Sequence, residues 1–474
     1  MSGSRDLTTG TGLHGGVEET TVGRSMSAGN TDTTGRGRVH GLRRRFGRLG
    51  LIAAVGLIAA GCAEDKPLNT FEPRGPRAQA IDDLMGPIWW IMGVIFVLVI
   101  GGAIVIAIRN RVNGDELDPE DLPNQTHGNT PLELAWTVAP AVLLAAICFP
   151  MVALIWELES TNDEGEIDVM VIGQQWWWEY RYDVDGDGFF VDANGDGVAN
   201  QDLTGDDATL SLEINLDPDD VVTATELVIP ANQQVDLILT SRDVIHSFWI
   251  PRLNGKRDTV PGRWHTWSLE AAEPGKYTGW CTEFCGLSHA RMRMSAIALP
   301  QDEFDEWLAN QAQPAEIPTD PDALAGRELF INNCSRCHVV DDDSIEYADD
   351  FNETVALVSR AAPDLTHFAT RSTFAGGIFG VYAGGPGNST VPDDDALNPA
   401  VYVDLAELSA DPDDLEDFRF NAAEVKRWVE NAPERKAQAP DPVPETGLGR
   451  GMPAFDSLSD EQLDQIVAYL ATLD

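Results

Sequence analysis

The sequence predicts a multi-domain membrane protein built from a two-helix transmembrane hairpin, an all-β Greek-key domain and a C-terminal all-α domain. Three observations predict it. Two apolar stretches, Ile88–Ile108 and Leu134–Trp156, carry no charge over 21 and 23 residues. Short alternating strands separated by Gly, Pro, Asn and Asp turns then run to about Pro300. Beyond a Pro/Ala/Gln linker, helical patterning returns at both ends of the remaining segment.

The chain starts with a Gly/Thr/Ser-rich tract without periodicity, to about residue 35, which reads as disordered; Met26 offers an alternative initiator. Arg43-Arg44-Arg45-Phe46-Gly47-Arg48 precedes a twelve-residue apolar run, Leu49–Ala60, and then Gly61-Cys62. A basic region, a short apolar core and small residues describe a secretory leader, too short to span a bilayer. Ala59-Ala60-Gly61-Cys62 resembles a bacterial lipoprotein cleavage site, which would place a lipid on Cys62, although Ala stands where Leu is commoner. The Arg pair also fits a twin-arginine signal loosely. Residues 1–61 are therefore assigned to disordered N-terminus and leader, and 62–87 to an external linker.

The hairpin occupies 88–156. Each stretch exceeds the roughly 20 residues needed to cross about 30 Å of hydrocarbon. Trp89 and Trp90 on the first, and Trp136 and Trp156 on the second, suit the two interfaces. Pro140 and Pro150 are tolerated in a membrane helix. Basic residues flank the first span on both sides, so orientation follows from the leader: Cys62 outside, the hairpin in and back out, everything after Trp156 external.

Residues 165–300 read as the β domain. Its strands include Ile167–Ile172, Thr209–Ile214, Gln234–Leu239 and Thr266–Glu270. An amphipathic stretch with Phe304, Trp307 and Leu308 opens the linker 301–321. The domain 322–474 follows, with helices expected over Ala323–Phe330, Ala422–Val429 and Ser459–Leu473.

Composition narrows the partners. The 77 acidic against 32 basic side chains leave a net charge of −45, which excludes nucleic acid. The excess would steer a basic protein partner by long-range attraction, or it reflects a generally acidic, salt-adapted proteome. With 43 Gly and 28 Pro the chain is loop-rich. Its six cysteines each have a separate use, and none is left over for a disulfide; Cys148, in the second span, acts as a small hydrophobe.

The densest chemistry lies in Cys281-Thr-Glu283-Phe-Cys285-Gly-Leu-Ser-His289-Ala-Arg-Met292, with His246 upstream. Thiolate, thioether and imidazole together select copper. Two cysteines in such a loop can bridge two metal ions, leaving each ion one His and one weak ligand, Met292 or the Glu283 carbonyl. Zinc is the rival, disfavoured by the thioether and by the absence of Cys-x-x-Cys spacing. The run is expected between the last two strands, with His246 at the end of an earlier one, so that rigid strands fix the ligand loops.

Cys334-Ser335-Arg336-Cys337-His338 is the Cys-x-x-Cys-His signature of c-type haem attachment, with a thioredoxin-like pair as rival. His338 is the proximal ligand and Met452, in Gly451-Met452-Pro453, the expected distal one, with His367 as competitor. His/Met ligation raises the potential, which suits a donor to copper. In Trp176-Trp177-Trp178-Glu179-Tyr180-Arg181-Tyr182, strand alternation would put Trp176, Trp178, Tyr180 and Tyr182 on one face. Core packing competes there with an exposed Trp beside copper, where electrons enter. Asp183–Gly188 and Asp192–Gly197 resemble two calcium loops, with carboxylates at positions 1, 3 and 5 of the first and Asp192, Asn194 and Asp196 at those of the second. Position 12 holds Asn194 and Leu203 instead of Glu, so calcium across Asp183–Asp196 competes with a solvated acidic hairpin. No catalytic triad, carboxylate pair or phosphate loop stands out, so no catalytic residue is assigned.

Together these features resemble subunit II of haem–copper cytochrome c oxidase, in the variety with a fused C-terminal cytochrome c, over about residues 85–474. The motifs are Glu133-Leu-Ala-Trp136-Thr137-Val-Ala-Pro140, Gly173–Tyr180, Asp243-Val-Ile-His246-Ser-Phe248, Lys256–Arg263, the copper run, Ala362–His367 and Met452-Pro-Ala-Phe455. The resemblance implies a cupredoxin-like copper domain and a class I-like cytochrome c domain. It implies that His246, Cys281, Cys285, His289, Met292 and the Glu283 carbonyl hold the dinuclear CuA centre, and that the Glu283 carboxylate reaches a magnesium ion shared with subunit I. It makes Trp176 the point where electrons enter. Gln174 and Arg181 depart from the family pattern, as do the insertion 183–207 and the segments 341–361 and 376–420.

The implied function is electron transfer in a terminal oxidase of a bacterial cell membrane, with copper and haem domains on the external face. Cytochrome c or a bc-type complex is the donor; oxygen is reduced in subunit I. Other oxidase subunits and the membrane complete the partners. A copper-containing nitric oxide reductase would have a similar small subunit, and a membrane-anchored carrier without an oxidase is the non-enzymatic alternative.

Overall fold

The computed structural model describes residues 68–111, 128–160, 168–184, 221–342, 362–382, 419–438 and 451–474. The leader and Cys62, most of the acidic calcium-like insertion, the strand expected at 209–214, and much of the two long C-terminal segments lie outside them.

Two long apolar helices come first, α1 (Pro76–Arg109, 34 residues) and α2 (Thr130–Leu158, 29 residues). Asn129 starts α2 by accepting the Leu132 N–H at 3.2 Å, while Glu133 reaches back to the Asn129 N–H at 3.0 Å, a reciprocal N-terminal cap. No residue of α2 is buried, so its apolar surface faces outward on all sides, as a lipid-facing helix requires. The first helix begins at Pro76, whereas the sequence assigned 62–87 to a linker. Its extra turns carry polar residues and rest on the β domain: the Ala78 N–H donates to the Leu253 carbonyl at 3.1 Å. Buried Arg77 closes the C-terminal end of α2, donating to the Glu157 and Ser160 carbonyls at 2.6 and 2.9 Å, and also to Gln234 at 2.7 Å. One guanidinium thus ties both helices to the domain they carry.

Among the described residues, ten strands form the β domain: β1 (Asp168–Gln174), β2 (Trp177–Tyr182), β3 (Val221–Ala224), β4 (Glu226–Pro230), β5 (Val235–Ser241), β6 (His246–Trp249), β7 (Lys256–Thr259), β8 (His265–Leu269), β9 (Gly275–Trp280) and β10 (Arg293–Leu299). One sheet runs β3-β2-β1-β5-β8 and another β4-β10-β9, with β6-β7 a separate ribbon. The parallel β1/β5 pair, Val171 opposite Leu239, and the parallel β4/β10 pair demand crossovers, giving the expected Greek-key character. The core between the sheets holds Trp178, Tyr180, Tyr182, Leu227, Leu237, Phe248 and Met294, all buried. Tyr182 pins the sheets together, its hydroxyl donating to the Val228 carbonyl at 3.0 Å and accepting the Val228 N–H at 2.8 Å. Trp176 leaves the expected alternation, because it sits in the turn between β1 and β2, yet it joins the same core.

Helix α3 (Gln301–Gln311) buries Phe304 and packs Trp307 edge-on against Tyr182 at 5.3 Å. The C-terminal domain contains α4 (Pro321–Asn333), α5 (Ala422–Arg435), α6 (Asp460–Leu470) and a short ribbon of β11 (Thr373–Phe374) and β12 (Phe379–Gly380). Ser459 and Gln462 form a capping box at the start of α6. A separate core surrounds Phe330, Val425, Val429, Ile466, Val467 and Tyr469. The five cysteines among the described residues are all free thiols.

Candidate metal centre

The loop after β9 carries the ligand run, and its ends are closed by the Cys281 N–H donating to the Met292 carbonyl at 3.0 Å. The Thr282 N–H reaches the Ser247 carbonyl at 3.1 Å, fastening the loop beside β6, where His246 stands. A 3-10 turn at His289–Arg291 swings His289 back toward Cys285. Two glycines make the approach possible. A Cβ on Gly173 would lie 2.7 Å from the His246 ring, and one on Gly286 (φ +115°) would press on Gln175 and Trp176.

The sulfur atoms Cys281 Sγ and Cys285 Sγ are 3.7 Å apart. Cys281 Sγ lies 3.9 Å from His246 Nδ1 and 3.3 Å from the Glu283 carbonyl oxygen. Cys285 Sγ lies 3.5 Å from His289 Nδ1 and 3.8 Å from Met292 Sδ. Each thiol is thus flanked by one imidazole and one weak donor. Such separations match the edges of a coordination polyhedron built on metal–ligand bonds of about 2.0–2.3 Å. His246, Cys281 and Cys285 form a buried group of metal-ligating side chains with ligand atoms within 4.8 Å of one another. Met292 is also buried, whereas His289 is half-buried and Glu283 exposed.

A hydrogen bond from Cys285 holds Cys281 low, against the opposing effect of burial and with help from His246. Cys285, beside that thiolate and buried, is raised. Two thiolates this close ionise together only when a positive ion screens them. Burial alone would lower His246, but Asp243 and Cys281 outweigh it and raise it.

Asp243 went unassigned in the sequence reading and turns out to orient the first ligand. Its Oδ1 lies 2.8 Å from His246 Nε2, which leaves Nδ1 facing the sulfurs. The same carboxylate accepts the Gln175 N–H at 2.7 Å. The only sequence signal was its place in Asp243-Val-Ile-His246. Trp176 lies at the site too, its indole N–H donating to the Cys285 carbonyl at 2.9 Å. It is 4% exposed, so Trp176 packs as core and presents no open face beside the ligands.

The Cys-x-x-Cys-His motif follows α4. Cys334 is buried and its thiol is pushed up to about 12, while Cys337 is exposed. His338 Nδ1 lies 2.8 Å from the Pro363 carbonyl, which fixes the ring and turns Nε2 free as a ligand atom. Desolvation lowers His338 to about 4, so the imidazole is neutral, as a ligand must be. Half-buried Met452 packs on the domain core. The competitor His367 has both ring nitrogens at carbonyl oxygens, Asp474 at 3.1 Å and Gln313 at 2.9 Å. The donor set around Cys281 and Cys285 therefore fits a pair of metal ions, and His338 is held as a ligand would be.

Comparison with known proteins matches the hairpin and the β domain separately. The family described as cytochrome C oxidase subunit II, transmembrane domain, matches residues 68–154, and the periplasmic domain of the same subunit matches 167–298. Cytochrome c oxidase subunit 2 of Alkalihalophilus pseudofirmus is 28% identical over 424 residues, 88% of this chain and 94% of that protein. The Bacillus subtilis protein of the same name is 29% identical over 345 residues, 69% of this chain and 83% of its own length. That of Triticum aestivum is 30% identical over 249 residues, 52% of this chain and 91% of the plant protein. With its apolar hairpin, cupredoxin-like sheets and helical C-terminal extension, the chain belongs to the cytochrome c oxidase subunit II family, as the two-span membrane subunit of an oxidoreductase complex.

Proposed function

We propose that this chain is the electron-transfer subunit of a terminal oxidase, holding CuA through His246, Cys281, Glu283, Cys285, His289 and Met292, and haem c through Cys334, Cys337, His338 and Met452. When bound, these two groups supply one-electron storage at separate points of the same chain. The observation that carries the reading is the convergence of two thiols, two imidazole Nδ1 atoms, a thioether and a carbonyl in one loop pair, at separations of 3.3–3.9 Å.

The chain's own residues prepare the site. Asp243 sets the ring of His246, Gly173 leaves room for it, and Trp176 and Gln175 hold the Cys285 carbonyl at 2.9 and 2.7 Å. Ligands fixed in this way move little when the charge of a bound metal changes, and burial keeps water away from the thiols. In the C-terminal domain, Pro363 holds His338 in the orientation a proximal ligand needs. Exposed Glu283, beside exposed Phe284 and Leu287, is directed outward to meet the oxygen-reducing subunit I, where its carboxylate would contribute to a shared magnesium site. With both ends of the hairpin external, the two domains would stand on the external face of a bacterial cell membrane, where a cytochrome c or a bc-type complex would be the donor. Purifying the complex and comparing substrates tests the reading: oxygen turnover should dominate, and dominant nitric oxide reduction would overturn it.

A further inference from the structure

The β domain and the C-terminal domain meet through buried polar contacts that involve the neighbourhood of Trp176. Lys436, 4% exposed, donates from Nζ to the Trp176 carbonyl at 2.6 Å and to the Ala375 carbonyl at 2.8 Å. The Arg293 N–H donates to the Gly376 carbonyl at 3.0 Å. Around these, the Ser288 hydroxyl donates to the Ala437 carbonyl, and Arg291 donates to the Arg435 carbonyl at 2.7 Å. Gly376 (φ +75°) fits so tightly that a Cβ there would lie 2.5 Å from the Trp176 carbonyl oxygen and 2.6 Å from Lys436 Nζ.

A second patch lies around Glu226, which is buried. Its carboxylate pairs with Lys276 of its own domain at 3.0 Å. From the other domain it accepts the Ser372 N–H at 2.9 Å, the Thr373 hydroxyl at 2.8 Å and the Ser372 hydroxyl. An ammonium and a carboxylate withdrawn from water at one interface stay there only while their partners remain in place. A domain swinging on its linker would have to strip both on every excursion.

We propose that the C-terminal domain is a fixed cap over Trp176, latched by Lys436, and not a carrier that swings on its linker. The proposal rests on the electron-transfer reading above. Covered Trp176 remains coupled on both sides: its carbonyl accepts from Lys436, and its indole donates to the carbonyl of Cys285. The cap thereby leaves a hydrogen-bonded connection between the domains, Lys436 to Trp176 to Cys285. Lys436 is a positioning residue in this scheme, since it touches neither metal ligand side chain.

The test is amide hydrogen exchange on the full-length chain in detergent, with copper and haem content recorded on the same samples. The Arg293 and Ser372 amides, which donate across the interface, should exchange slowly in the wild type. Lys436→Met and, independently, Gly376→Val should each speed both amides about tenfold or more. The Cys281 amide, bonded within the ligand loop, should not change. Fast exchange in the wild type, or slow exchange surviving in both variants, overturns the cap. Slow exchange in a chain that binds neither copper nor haem would instead sink the electron-transfer reading and leave the cap standing.

Discussion

At the residue scale the copper loop depends on a few side chains whose partners define their roles. Asp243 is the sharpest case, because it grips the ring nitrogen of His246 that faces away from the sulfurs. Asp243→Ala should weaken copper binding about 10–100-fold, measured by titration with a competing chelator, while the fold is retained. Unchanged affinity would remove Asp243 from the site. Met452→Ala should abolish the His/Met absorption signature of the haem, and an unaltered spectrum would refute Met452 as the distal ligand. Most of this chemistry was legible in the sequence, because cysteines, histidines and a methionine at short spacing leave few alternatives. What stayed hidden were partners far away along the chain. The Pro363 carbonyl meets His338 across 25 residues, and Lys436 meets Trp176 across 260. No local pattern encodes either contact.

At the scale of elements, hydropathy and alternation located the helices and most strands, and the ends were decided by packing. Helix α1 starts at Pro76 because its first turns have the β domain to lean on, a tertiary reason that a charged, non-apolar stretch cannot reveal. The alternation in 176–182 failed at Trp176 for a similar reason: the residue turns the chain and still finds a core place next to Cys285. In the C-terminal domain α4 and α6 cross closely at Gly326, where a Cβ would run into the Gln465 backbone. Gly326→Val should force these helices apart and destabilise the domain by about 1–3 kcal/mol, read as a lowered melting temperature with loss of haem incorporation. A melting temperature equal to wild type would mean that the helices tolerate separation.

At the scale of the whole molecule, Glu226 lies buried where the β domain meets the C-terminal domain, bonded to Lys276, Ser372 and Thr373. Burial alone would raise this carboxyl, but Lys276, Ser372 and Thr373 outweigh it and lower it below the ordinary glutamate value. A lowered carboxylate stabilises the folded state fully above its unfolded value of about 4.3, and the contribution is lost as the pH falls through the lower folded value. The melting temperature should therefore fall more steeply on acidification below about pH 4 in the wild type than in Glu226→Gln. Parallel curves would show that Glu226 carries none of the linkage.

The proposed electron-transfer role stands on a dinuclear copper centre in the Cys281–Met292 loop. Electron paramagnetic resonance of the purified, copper-loaded full-length chain tests it most directly. A mixed-valence signal is expected, with one unpaired electron shared by two copper ions, and it should disappear in Cys285→Ser while covalently attached haem is retained. A signal from a single isolated cupric ion in the wild type, or a mixed-valence signal surviving in Cys285→Ser, would contradict it.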